Sequence, residues 1–145
     1  MKQKEKQLLL IDLCARLSYG VLFMVPDINE PVELLSINPK RDKPLEIDDG
    51  HDENSSTYWN LEDVTPYLRP MASMTEEEKE DIFQALNIHG DIDTEGNLLL
   101  GVECNILTLK VCKKYLGELN KRMFDVCHLI EKGLALEAPE GMYSI

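Results

Sequence analysis

Val21 to Ile37 reads VLFMVPDINEPVELLSI. Two short apolar runs, Val21 to Val25 and Val32 to Ile37, flank the turn residues Pro26, Asp27, Ile28, Asn29 and Glu30, and Asn38 with Pro39 closes the second run. Apolar runs bounded by breakers in this way predict a β-hairpin. A third strand is expected around Leu45 and Ile47, and Thr57 to Trp59 reads as a strand resuming. The middle of the chain is therefore expected to form a small antiparallel sheet.

Upstream, residues 3 to 18 read as a helix. Leu10, Leu13, Cys14 and Leu17 fall at i, i+3, i+4 and i+7, with Lys, Glu, Gln and Arg assigned to the opposite side, and Gly20 suits the exit. Downstream, Glu46 to Glu53 (EIDDGHDE) holds Glu46, Asp48, Asp49, Asp52 and Glu53 with no Lys or Arg, which predicts an exposed loop. Leu61 to Met71 contains Pro66 and Pro70, and predicts one helical turn that docks Val64, Tyr67 and Leu68.

Ser73 with Glu76, and Thr75 with Glu78, both fit the capping box, and Glu76, Glu77 and Glu78 suit the positive end of a helix dipole. Ile82, Phe83 and Leu86 supply that helix's buried face, and Gly90 is the expected stop. Leu98 to Leu100 fits a buried strand or a helix entry. A long helix is expected from about Ile106 to Met123, with Thr108, Cys112, Tyr115, Leu119 and Met123 on one stripe. Lys110, Lys113, Lys114, Lys121 and Arg122 lie largely opposite. Near the C-terminus Gly133 suits a helix stop, with Leu134 to Leu136 extended beyond it.

The 145 residues carry 27 Asp and Glu against 15 Lys and Arg, a net charge of -12. That balance disfavours a nucleic-acid binder, whose affinity comes mostly from cations on phosphates. With 43% hydrophobic and 29% charged residues the chain is expected to fold as one globular domain over residues 1–145. Lys2, Lys4 and Lys6 before Leu8 to Ile11 imitate a signal peptide, but Asp12 interrupts the apolar run after four residues. The expectation is a cytoplasmic protein with no membrane span.

Cys14, Cys104, Cys112 and Cys127 form no CxxC pair, and Cys14 with Cys112 is expected in helix cores. Cys104, Cys112, Cys127 and His128 hold the ligand types of a Cys3His zinc site. Cys127 with His128 or His89 is the only pair suited to nucleophilic catalysis, and His51 sits among loop acids. Asp91 to Val102 (DIDTEGNLLLGV) imitates an EF-hand loop, yet Val102 stands where the bidentate Glu belongs and Glu103 lies one residue too far. A turn with Gly96 and Asn97 in unusual dihedrals explains the same segment.

Three stretches, LLLIDLCARLSYGV (Leu8 to Val21), VTPYLRPMASMTEEEKEDI (Val64 to Ile82) and LIEKGLALEAPEGMY (Leu129 to Tyr143), occur here in order. Together they resemble a family of small, acidic, uncharacterised proteins of gut Bacteroidetes and their phages or prophages. Members carry Pro where this chain has Ser18 and a glycine-like position where it has His128. The resemblance implies no catalytic residue, metal or cofactor.

The expected fold is α+β: an N-terminal helix packed on the small antiparallel sheet, followed by two or three C-terminal helices. The expected function is non-enzymatic binding of a protein partner in the bacterial cytosol, with a phage or mobile-element origin. One alternative is an acidic decoy that blocks a nucleic-acid-binding host protein. Another is a metal protein or enzyme using Asp91 to Glu95 or Cys127 and His128. Candidate interaction residues are Glu46, Asp48, Asp49, Asp52, Glu53, Lys110, Lys113, Lys114, Met142 and Tyr143. The last two are expected to pack on the body or on a partner.

Overall fold

The computed structural model describes residues 1–48, 56–100 and 108–143. The 21–37 stretch folds into antiparallel strands β1 (Leu22–Met24) and β2 (Val32–Ile37), with Phe23 facing Val32 and Leu22 facing Glu33. Asp27 takes a φ of 66° in the turn, a left-handed conformation that Asp adopts more readily than most residues. Strands β3 (Leu45–Asp48) and β4 (Ser56–Trp59) extend the sheet beyond β2.

On the other side of β1 lies β5 (Thr65–Leu68), where sequence reading expects a helical turn. Two 3-10 turns, Leu61–Asp63 and Met71–Ser73, flank this strand. Pro66 is accommodated because it faces Phe23 while Leu68 accepts from Ala138 N at 2.8 Å on the opposite edge. A proline lacks only the amide hydrogen, so it fits wherever pairing does not require one. Two later residues, β8 (Leu136–Glu137), lie parallel to β5. The sheet is thus six-stranded and mixed, in the order β4-β3-β2-β1-β5-β8, rather than small and antiparallel.

Helix α1 (Gln3–Arg16) packs its Leu9 and Leu13 into the core formed by Val21, Phe23, Leu34, Leu45, Ile47 and Leu68. Its buried stripe is Leu9, Asp12, Leu13 and Arg16, while Cys14 is exposed. The expected face is therefore rotated: an Asp and an Arg occupy core positions because they pair with each other there, through Arg16 Nε and Nη2. A 3-10 turn, Leu17–Tyr19, then hands the chain to Gly20, whose φ is 80°.

The second cluster joins α2 (Glu76–Leu86), the hairpin β6 (Gly90–Ile92) and β7 (Leu98–Leu100), and α3 (Leu109–Lys121) around Met74, Ile82, Leu86, Ile92, Tyr115, Leu119 and Phe124. Thr75 caps α2 by accepting from Glu78 N at 3.1 Å, and Glu78 reaches back to Thr75 N at 3.3 Å. The helix ends at Asn87 with a φ of 54°, not at Gly90. Gly90 instead pairs inside the hairpin, where any Cβ would collide with the Leu99 carbonyl. Thr108, expected on the core stripe of the last helix, is its exposed N-cap and accepts from Val111 N at 3.2 Å. Residues 129–133 form turns rather than a helix, with Gly133 at a φ of 71°, and a bend at 134–135 leads into β8.

The two helices α2 and α3 follow the sheet's first five strands among the described residues. No helix among them is long and apolar enough to cross a membrane.

Candidate functional site

Among the expected interaction residues, Glu46 and Asp48 belong to strand β3, not to a loop; Asp49, Asp52 and Glu53 lie outside the described residues. Register decides what surrounds Glu46, since Ser36 and Tyr58 are its cross-strand neighbours. Ser36 and Ser56 each donate to its carboxylate at 2.8 Å, Tyr58 donates at 3.4 Å, and the Arg41 guanidinium stacks 4.6 Å from the Tyr58 ring. Hydroxyl donation from Ser36 and Ser56 holds Glu46 below the usual carboxylate range. Ionised and fully engaged, it is a cross-strand polar tie rather than a proton-transfer group.

Lys110, Lys113 and Lys114 are exposed on α3 and make no ion pair with a described residue. Arg122, expected on the same stripe, is instead buried and reaches Glu118 at 3.4 Å. Chain turning explains the difference: Arg122 caps α3, and the next residue, Met123, takes a φ of 63°.

The EF-hand-like segment is the β6–β7 turn. Asp93 Oδ1 accepts from Glu95 N at 3.0 Å and Asn97 N at 2.8 Å, while Asp93 Oδ2 accepts from Asn97 Nδ2 at 3.0 Å. These donors lower the Asp93 pKa, with the Asn97 amide contributing most. Among the segment's described residues Gly96 alone takes a positive φ, 87°, so Asn97 does not share the unusual dihedral expected of it. Val102, Glu103, Cys104 and His51 lie outside the described residues. Among those described, no group of three His, Cys, Asp or Glu is placed to hold a metal ion.

Cys127 is half-buried, and burial pushes its thiol up, with the Asp12 carboxylate beside it adding to the shift. A thiol held protonated is a poor nucleophile. His128 is exposed with a φ of 57°, a conformation that carries no penalty for glycine.

Sequence reading misses the polar centre that joins the two ends of the chain. Arg16 Nε donates to Asp12 Oδ2 at 2.8 Å, and Arg16 Nη2 donates to Asp12 Oδ1 at 3.1 Å and to the Phe124 carbonyl at 2.6 Å. Both side chains are buried. Asp125 next door accepts from Leu129 N at 2.7 Å and Ile130 N at 3.0 Å. Tyr143 closes the other side: its hydroxyl accepts from Leu22 N at 3.0 Å and donates to the Tyr67 carbonyl at 2.6 Å. Leu22 and Tyr67 would be the next antiparallel pair after Phe23 and Pro66, so the hydroxyl bridges a rung that the diverging strands leave open. Met142, its neighbour, is half-buried.

Burial pushes both Tyr143 and Tyr115 up to about 12, and Tyr115 donates to the Gly96 carbonyl at 2.7 Å. A folded-state pKa above the unfolded value near 10 means the native protein holds these protons more tightly. Their stabilisation is present below pH 10 and is lost as pH rises toward about 12, so urea midpoints should fall across that window. Midpoints flat from neutrality through that window would contradict the burial of both hydroxyls.

Between α2 and the C-terminal tail lies a cleft of about 580 Å³ lined by Glu77, Glu78, Asp81, Glu137 and Glu140 together with Arg69 and Arg122. Both cations are already engaged. Arg69 clasps Glu78 through Nη1 at 2.8 Å and Nη2 at 2.6 Å, while its guanidinium stacks 4.2 Å from the Phe124 ring. Burial raises the Glu78 pKa, but Arg69 and Thr75 outweigh it and leave the carboxyl below its ordinary value. That contribution is present at neutral pH and is lost as pH falls through the folded pKa. Arg69→Lys should cost about 1–2 kcal/mol in urea unfolding, because an ammonium matches neither the paired oxygens nor the ring. Unchanged stability would show that the clasp contributes only as a point charge.

Comparison with protein-family models, curated proteins and solved structures finds no match to this chain.

Proposed function

We propose that this protein acts by binding another protein and performs no chemistry of its own, as a product of a phage or mobile element working in the bacterial cytosol. The acidic cleft beside α2 supports this reading. Its two arginines are occupied by Glu78 and Glu118, which leaves Glu77, Asp81, Glu137 and Glu140 without ion-pair partners among the described residues. A concave surface with uncompensated carboxylates favours Lys or Arg side chains of a partner and speeds their encounter.

Affinity capture from bacterial lysate tests the reading, with the wild-type chain compared against Glu77→Gln, Asp81→Asn, Glu137→Gln and Glu140→Gln combined. The expected result is a basic protein retained by the wild type, released by added salt and lost from the variant. Equal capture by both chains would move the binding elsewhere, and no capture at all would defeat the proposal. If the partner is a nucleic-acid-binding protein, displacement by a DNA or RNA duplex separates decoy action from simple docking.

A further inference from the structure

Two surfaces remain that the cleft does not use, and they match each other. The first is a groove of about 580 Å³ between the Pro26 to Glu30 turn and the segment from Glu62 to Tyr67. Met24, 45% exposed, lies along it with half-buried Ile28 and Tyr67, so an apolar strip is open to contact. Asp27, Glu30, Glu62 and Asp63 rim this strip, and no Lys or Arg among the described residues lines it. Lys6 engages Glu62 from α1, while the other three acids have no ion-pair partner among the described residues.

The second surface is the outer face of α3. Leu109, 72% exposed, and Leu116, 46% exposed, stand two helical turns apart with exposed Lys110 and Lys113 beside them. Gly117 shares this outward side, and a Cβ built there meets nothing within 4 Å. Glycine inside a helix is destabilising relative to alanine, and nothing among the described residues requires it here. A bare backbone at that point does, however, allow a neighbouring surface to approach closely.

We propose that the outer face of α3 docks into this groove on a second copy of the chain. The leucines meet the strip containing Met24 and Tyr67, and the two lysines meet Asp27, Glu30 and Asp63. Repulsion between two chains of net charge -12 is screened beyond about 8 Å at physiological ionic strength, so local complementarity decides the contact. This contact is independent of the partner-binding cleft and does not depend on that reading.

Sedimentation equilibrium of the full chain tests it, with urea unfolding as the control for folding. The wild type should self-associate in the micromolar range. Reversing the helix with Lys110→Glu and Lys113→Glu, or the groove with Glu30→Lys and Asp63→Lys, should each weaken association by at least about tenfold. Mixing the two reversed chains should restore a one-to-one complex. Gly117→Gln, a better helix former at an open position, should keep the fold and still block association. A chain that stays monomeric up to about 1 mM, association that survives either reversal, or failure of the mixed pair to assemble would overturn the proposal.

Discussion

Arg16→Met is expected to lower the unfolding free energy by about 3–5 kcal/mol, the cost of stranding one member of a buried ion pair. Asp12 would be left in the core with no cation, and the Phe124 carbonyl would lose its 2.6 Å donor. Against a total stability of about 5–15 kcal/mol for a domain, that loss removes a large fraction or unfolds the chain at room temperature. Replacing both partners, Asp12→Leu with Arg16→Met, should cost only about 0.5–1.5 kcal/mol, because the uncompensated charge is gone and the Phe124 carbonyl still accepts from Val126 N at 2.9 Å. Denaturant unfolding of the three chains measures this order. A single replacement as mild as the double one would show that water reaches the pair.

Tyr143→Phe should cost about 1–3 kcal/mol, since it leaves the Leu22 amide and Tyr67 carbonyl without the hydroxyl that serves both. Tyr143→Ala should cost about 3–5 kcal/mol by also removing the ring from the core cluster it joins. Amide exchange provides a local check, with Leu22 losing protection in the Phe variant. Retained protection at Leu22 would mean that β1 and β5 close the rung directly once the hydroxyl is removed.

The parts of the fold that sequence reading recovers are those governed by neighbours in sequence. The β1–β2 hairpin follows from two apolar runs around Pro26 to Glu30, and the α2 start follows from Thr75 and Glu78, three residues apart. The parts it misses depend on distant partners. Pro66 disguises β5, because only its pairing with Phe23 shows that no amide hydrogen is needed there. Asp12 and Arg16 look like solvent-facing charges until residue 124 brings a carbonyl to them, which also turns Cys14 outward.

The same limit holds for the candidate site. Glu46 is conspicuous as the first acid of EIDDGHDE, but its meaning comes from Ser36 and Ser56, ten residues away on either side and placed by register. Arg122 looks like part of a basic stripe, yet the bend after α3 buries it beside Glu118. The cleft draws its acids from α2 and from the tail, segments more than 50 residues apart, so no local motif announces it.

The Arg16 contact spans 108 residues and the Tyr143 contact to Leu22 spans 121. During synthesis at about 5–20 residues per second, the first helix therefore waits several seconds for the residues that complete its surroundings. Asp12 and Arg16 are already one helical turn apart, so they can neutralise each other during that interval and present less unpaired charge to the collapsing sheet. The centre of the fold is consequently late to close: Phe124 and Tyr143 finish a core begun more than 100 residues earlier by Arg16 and Leu22.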